Sequence, residues 1–470
     1  MSRTALVWFR RDLRLNDHPA LQAALAAAER VIPVFVYAPD EEAPWAPGGA
    51  ANWWLHHSLA ALSARLAALG SPLVIRRGPT LEALRALISE TGADRIFWNR
   101  LYEPAVRTRD AAIKEALRED GLTVESFNSA LLFEPWTLQT QSDQPYRVFS
   151  PFWRNAEPRL VDVRAPTPAP TALPGPAKAV SSEPLETLAL LPRLPWADGF
   201  RARWTPGEAG ALARLTPFLD GPVQQYRQRR DLPGDDDGTS GLSPHLHFGE
   251  IGPAQVLAAT RARGPLNPQV QHFIREIGWR EFAHHLLYHY PQTPTEALYH
   301  DKFGAFPWRS AADYADNLRA WQRGETGIPI VDAGMRQLWA TGWMHNRVRM
   351  VVASFLTKNL LTPWQEGAAW FWDTLVDASL ANNTLGWQWS AGCGADAAPY
   401  FRIFNPLLQS ERFDADGAYL DAWVPELRSL SGKHKHMPWT APVPPKGYPA
   451  PIVDLAATRD RALAAYDRIK

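Results

Sequence analysis

Short apolar runs alternate with amphipathic stretches over the first 130 residues. Ala5–Phe9, Ile32–Tyr37, Leu73–Arg76, Arg95–Trp98 and Thr123–Phe127 read as strands. Between them His18–Arg30, Asn52–Gly70, Leu81–Thr91 and Ala105–Glu119 are rich in Ala, Leu, Arg and Glu and read as helices. A βαβαβαβαβ order of this kind predicts a Rossmann-like parallel sheet with helices on both faces. Such sheets take ligands beyond the C-terminal ends of their strands. The first strand runs into Arg10-Arg11-Asp12-Leu13-Arg14 rather than GxGxxG, so the usual dinucleotide fingerprint is missing.

The pattern then changes. Eight prolines fall between residues 161 and 200, a density that blocks regular helix and favours extended chain. Beyond 200 the periodicity is helical, in Gly207–Leu219, Pro253–Ala262, Pro268–Tyr290, Ile330–Asn359 and Gly367–Leu375. Thr362-Pro363 marks a stop before a restart. The predicted organisation is an α/β domain over 1–130, a proline-rich linker over 131–200 and an all-α domain over 201–470.

Composition adds limits. The 470 residues are 46% hydrophobic and 21% charged, which excludes a disordered chain. No long uncharged apolar run predicts a membrane span, and the N-terminus does not read as a secretion signal. The one cysteine, Cys393, excludes an internal disulfide and any cysteine-based zinc site, and fits a cytoplasmic setting. The charges, 49 basic and 49 acidic, cancel. Any contact with nucleic acid must therefore come from a local basic face. The 21 tryptophans exceed what is ordinary; most are expected in the core, and some are available as stacking surfaces.

Four stretches carry candidate chemistry. Gly238-Thr239-Ser240-Gly241-Leu242-Ser243-Pro244 sets hydroxyls among glycines before a proline-started helix. Its backbone N–H groups suit a diphosphate, although a plain capped turn gives the same string. Glu276, Trp279 and Arg280 fall at i, i+3 and i+4, so a carboxylate, an indole and a guanidinium share a helix face. They suit a flat heterocycle, or a surface ion pair beside a core Trp. Asn346, Arg349 and Met350 share another face, extended by Trp339 and Trp343; buried polar groups there need partners. Asp377 to Trp389 combines an acid, the amides Asn382 and Asn383, and two Trp, which suits a ring with N–H and C=O edges. HExxH, paired CxxC and GxSxG are missing from the chain, so no metal site is predicted.

These stretches, in this order, resemble the photolyase/cryptochrome family, most nearly its class I cyclobutane pyrimidine dimer photolyases. The resemblance opens at Trp8-Phe9-Arg10-Arg11-Asp12-Leu13-Arg14-Leu15-Asn16-Asp17-His18 and is densest from Trp387-Gln388-Trp389 through Asp396-Ala397-Ala398-Pro399-Tyr400-Phe401-Arg402-Ile403-Phe404-Asn405-Pro406. It implies FAD held bent in the helical domain. Tyr226, Thr239, Ser240, Gly241, Leu242 and Ser243 would hold its phosphates and adjacent groups; Phe273, Asn346, Arg349, Asp377, Ser379 and Asn383 would surround its ring and ribityl chain. The activity implied is repair of UV-damaged DNA by light: excited FADH⁻ donates an electron to an everted pyrimidine dimer, the cyclobutane splits and the electron returns. Trp279 and Trp389 would be plates for the dimer, and Glu276 would hydrogen-bond a pyrimidine edge. Arg230, Arg280, Asn346, Arg347, Met350 and Gln409 would contact DNA. Trp387, Trp364 and Trp308 would carry electrons to the resting flavin.

The chain departs from the family pattern in places. Ser379 stands where many relatives carry Asp, and Gly241 where some carry Arg. Pro104-Ala105 stands where folate-binding relatives carry Asn-Glu, which favours a deazaflavin or flavin over folate as a second, light-harvesting chromophore. A cytoplasmic monomer is expected. Three other readings stay open. One is a cryptochrome photoreceptor. Another is a (6–4) photolyase, away from which Asn346 and Met350 point, since that group uses histidines there. The third is a non-photochemical nucleotide-binding electron-transfer protein, which leaves Trp279, Trp389, Arg230 and Gln409 unexplained.

Overall fold

Apolar side chains on both faces drive the N-terminal half into a buried sheet. The computed structural model describes residues 3–397 and 401–470. Strands β1 (Thr4–Phe9), β2 (Arg30–Tyr37), β3 (Val74–Arg77), β4 (Arg95–Asn99) and β5 (Thr123–Phe127) are all parallel, in the order β3-β2-β1-β4-β5. Trp8 on β1 is in register with Val34 on one side and Trp98 on the other. Helices α1 (Pro19–Ala27), α2 (Gly49–Leu69), α3 (Thr80–Thr91) and α4 (Pro104–Glu119) make the crossovers. The first helix is shorter than its periodicity predicts. Ala28 is extended, and Arg30 already pairs with Thr4 as the first residue of β2.

The Arg-rich turn after β1 ties the two halves together. Arg14, 1% exposed, donates to the Gly249 carbonyl at 2.9 Å and to Ser129 Oγ at 2.6 Å. Glu208 accepts from the backbone N–H of Leu15 and Asn16 at 3.1 and 3.0 Å. Burial opposes ionisation of Asp12, but His18, 2.9 Å away, and Arg10 overcome it and hold the carboxyl at about 2. This opening signature is therefore architectural for the most part; only Arg11 and Arg14 reach the cavity described below.

The stretch 131–200 is linker only in part. Phe149–Ala156 is a helix, and Phe149, Phe152 and Trp153 join the core around the Pro268–His289 helix. Further on the chain does wrap the α/β domain, with Leu173 N–H bonded to the Leu69 carbonyl and Val31 N–H to the Pro174 carbonyl, both at 2.8 Å.

The remainder is helical among the described residues, as predicted, with one correction. Ile330–Asn359 is not one helix. It divides into Pro329–Thr341, Asn346–Ser354 and a π turn over Phe355–Asn359. The break is at Gly342, whose φ of +67° favours glycine. A Cβ there would also meet Val376 and Phe200 at 2.6 and 2.7 Å. Trp339 is thereby turned out of the predicted stripe. It is 50% exposed and stacks on Trp370 at 6.0 Å.

Candidate functional site

A cavity of about 620 Å³ lies inside the helical half and reaches the seam with the α/β domain. That size is in the range of sites for cofactors and drug-sized ligands.

The Pro268–His289 helix supplies Phe273, Glu276, Trp279 and Arg280 to its wall. Asn267 caps that helix, accepting from Gln269 and Val270 N–H. Phe149 stacks on Trp279 at 3.7 Å and 9°, which fixes the plane of the indole. The Asn346–Ser354 helix supplies Asn346, Arg347, Arg349 and Met350, the face that its periodicity predicts. Asp377, Ser379, Asn383, Trp387 and Trp389 come from the segment around the Leu380–Ala391 helix. Tyr226, Ser240, Leu242 and Ser243 complete the part of the wall expected at the phosphates, and Arg230, expected at DNA, lies beside them in the lining.

Charges in the wall are paired. Arg349 Nη2 bonds both oxygens of Asp377, and its Nε donates to the Met344 carbonyl at 2.7 Å. Asn383 Nδ2 donates to the Ala368 carbonyl at 3.0 Å, which orients the amide. Arg347 pairs with Asp231 at 2.9 Å, and Arg230 pairs with Glu276. Ser379 spends its hydroxyl on its own helix, accepting from Asn382 Nδ2 at 3.1 Å. Trp387 lies against Gly367, where a Cβ would fall 2.0 Å from the ring. Glycine is required there for the indole to reach the cavity wall.

Several expected site residues sit elsewhere. Thr239 and Gly241 are not part of the wall; the Arg214 guanidinium lies 2.7 Å from the position of a Cβ on Gly241. Arg280 lines the seam end of the cavity, half-buried, and donates to the Ala130 carbonyl at 2.7 Å. Gln409 lies outside the cavity, with its Oε1 buried. Trp364 and Trp308 are also outside it, in the hydrophobic cluster that holds Trp387. The ring contacts of Trp387 are to Phe371 at 5.0 Å and to Trp321 at 6.2 Å. Residues 398–400 of the second signature lie outside the described residues.

Sequence reading missed the seam end of the cavity, where Arg11, Glu103, His247 and His284 meet. Arg11 bridges Glu103 at 2.7 Å and Glu42 at 2.9 Å. Burial pushes His247 down to about 3 and His284 to about 4, so both rings are neutral at pH 7. These groups come from four separate elements, so no local spacing announces them.

Comparison with known proteins shows the family. Residues 5–172 match the family model for DNA photolyase, and residues 273–468 match that for the FAD binding domain of DNA photolyase. The chain is 51% identical over 477 residues to a deoxyribodipyrimidine photo-lyase of Agrobacterium fabrum, covering 99% of this chain and 98% of the relative. It is 38% identical over 486 residues to cryptochrome-1 of Arabidopsis thaliana, covering 97% of this chain and 69% of that one. A solved class III photolyase from Agrobacterium tumefaciens superposes with a TM-score of 0.94 at 49% identity, covering 100% of this chain and 98% of that one. With the fold, the paired cavity and these matches together, the chain belongs to the photolyase/cryptochrome family.

Proposed function

We propose that this chain repairs cyclobutane pyrimidine dimers in DNA in a light-dependent reaction. The observation that carries the reading is that Glu276, Trp279, Asn346 and Trp389 line the same cavity as Arg349, Asp377 and Asn383. A lesion and a flavin would then share one chamber.

The cavity fits FAD. Its size suits a dinucleotide, Ser240 and Ser243 offer hydroxyls toward phosphates, and the Arg349–Asp377 pair and Asn383 offer hydrogen-bonding edges to a ring. FAD, when bound and reduced, supplies the electron that light moves to the dimer. The protein supplies the rest. Arg349 and Asp377 hold a fixed dipole beside the ring, and such preorganised charge costs no rearrangement during the reaction. Asn383, anchored through its Nδ2, holds a neutral amide in place. Trp279, backed by Phe149, and Trp389, 6.1 Å from Phe404, offer flat faces for stacking an everted dimer. Glu276 reaches a pyrimidine edge. Arg230 and Arg347 bring positive charge to the mouth for backbone phosphates. Trp387, buried in the cavity wall, would donate electrons to an oxidised flavin, and Trp364 and Trp308, in the same hydrophobic cluster, would resupply it.

We further propose a second, light-harvesting chromophore of the flavin or deazaflavin kind, on the strength of Pro104-Ala105; mass spectrometry of the released chromophores separates these from a folate. We also propose a monomer in a cytoplasmic setting; the lone buried Cys393 fits the setting, and no helix among the described residues is long and apolar enough to cross a membrane. The purified protein should be yellow, with close to one FAD per chain. Colourless protein that cannot be reconstituted with FAD contradicts the reading.

A further inference from the structure

Glu276 is shared with a second titratable group. Arg230 Nη1 donates to Glu276 Oε1, and the same nitrogen lies 3.2 Å from His272 Nε2. His272 and Glu276 are four residues apart on the Pro268–His289 helix, so one turn presents both to the guanidinium. A guanidinium nitrogen carries only donors, so the imidazole nitrogen facing it must accept, and the ring is neutral.

A DNA phosphate arriving at this mouth changes the balance of charge. Arg230 and Glu276 cancel in the free protein. A phosphate adds one negative charge, so the single guanidinium no longer balances the anions around it.

We propose that Arg230 is an exchangeable partner, turning from Glu276 to a backbone phosphate when a dimer seats, while His272 takes up a proton and becomes the cation beside Glu276. The proposal rests on the dimer-binding reading above, and it makes His272 a positioning residue that acts through Glu276. Part exposure of both partners at the mouth, 17% for the Arg230 side chain and 29% for Glu276, leaves room for the turn.

The surroundings favour the exchange. Burial, and then Arg230, hold His272 below its ordinary range, with smaller contributions of the same sign from Arg227 and Arg275; Glu276 is the group that favours protonation. Tyr226, whose ring is 6.1 Å from that of His272, is uncharged, and Asp231 lies 3.8 Å from Arg230 Nε. Departure of the nearest cation leaves the carboxylate as the dominant neighbour, and the ring then titrates nearer to or above the usual value of about 6.5. The sign follows from linkage. A group that gains affinity for protons on binding takes one up, and binding weakens as pH rises through its bound-state pKa.

Isothermal titration of the holoenzyme in the dark with a duplex carrying one thymine dimer tests this. Titrations in two buffers of different ionisation enthalpy give the protons exchanged. We expect uptake of about half a proton or more per complex near pH 6.5, little at pH 8.5, and a severalfold rise in Kd between them. His272→Gln keeps a hydrogen-bonding side chain without the titration, so it should bind the dimer duplex with no uptake and with a Kd flat over that range. Binding by the wild type without proton uptake, or uptake unchanged in His272→Gln, overturns the exchange. Equal affinity of the wild type for dimer and undamaged duplex overturns the dimer reading itself, and the exchange with it.

Discussion

Arg349 gives one guanidinium nitrogen to both carboxylate oxygens of Asp377, at 3.1 and 2.8 Å. Asp377 is buried while the Arg349 guanidinium is about a quarter exposed, so removing the guanidinium leaves a carboxylate with little access to water and no partner. Arg349→Ala should therefore lose flavin. The ratio of flavin to protein absorbance after purification should fall to less than about a third of that of the wild type. Retention of full flavin content would show that the pair does not hold the ring.

Trp387→Phe separates the two electron paths. The indole is buried against Gly367 and contacts Phe371 and Trp321. Phenylalanine fills most of the space but is far harder to oxidise. Photoreduction of the oxidised flavin should slow by about tenfold or more, while pre-reduced enzyme repairs at the normal rate. An unchanged photoreduction rate removes Trp387 from the path.

Glu276→Ala tests the carboxylate proposed to meet the lesion. The substitution removes one hydrogen bond to a pyrimidine edge and frees Arg230 for phosphate, so affinity should change by less than about tenfold. The quantum yield of repair by pre-reduced enzyme should drop severalfold. A yield equal to that of the wild type excludes a role for this carboxylate after binding.

Glu281 predicts a pH effect on stability. Its carboxylate accepts from Leu132 and Phe133 N–H at 2.9 and 3.2 Å, and burial pushes it up to about 7 from an ordinary 4.5. The folded protein thus binds a proton more tightly than the unfolded chain does. The stability this confers is fully present below about pH 4.5 and is lost as pH rises through 7. Glu281→Gln keeps the acceptor and removes the titration. The Tm of the variant relative to wild type should rise by about 2 °C or more between pH 5 and pH 8 in thermal scans. A difference independent of pH contradicts the assignment.

The sheet was legible because its strands are apolar runs bounded by turns, and the Asn346, Arg349 and Met350 face because helical periodicity survives in it. The 330–359 helix was misread because its apolar period runs on across Gly342, and only the positive φ of that residue breaks the chain. The Phe149–Ala156 helix was hidden by the prolines that follow it. Glu276, Trp279 and Arg280 line one cavity, as their i, i+3 and i+4 spacing on a helix predicts, with Arg280 at the end that meets Ala130. The cluster of Arg11, Glu103, His247 and His284 is assembled by tertiary contact alone. The resemblance to a family supplied the roles of the residues; periodicity supplied which of them could meet.

Repair assayed on thymine-dimer DNA, lit and dark, beside a (6–4) substrate, tests the central claim most directly. The account predicts loss of the cyclobutane dimer in the lit reaction alone, with the (6–4) product untouched. Dimers that persist under light with fully reduced, flavin-loaded protein, or (6–4) photoproducts that disappear instead, would contradict it.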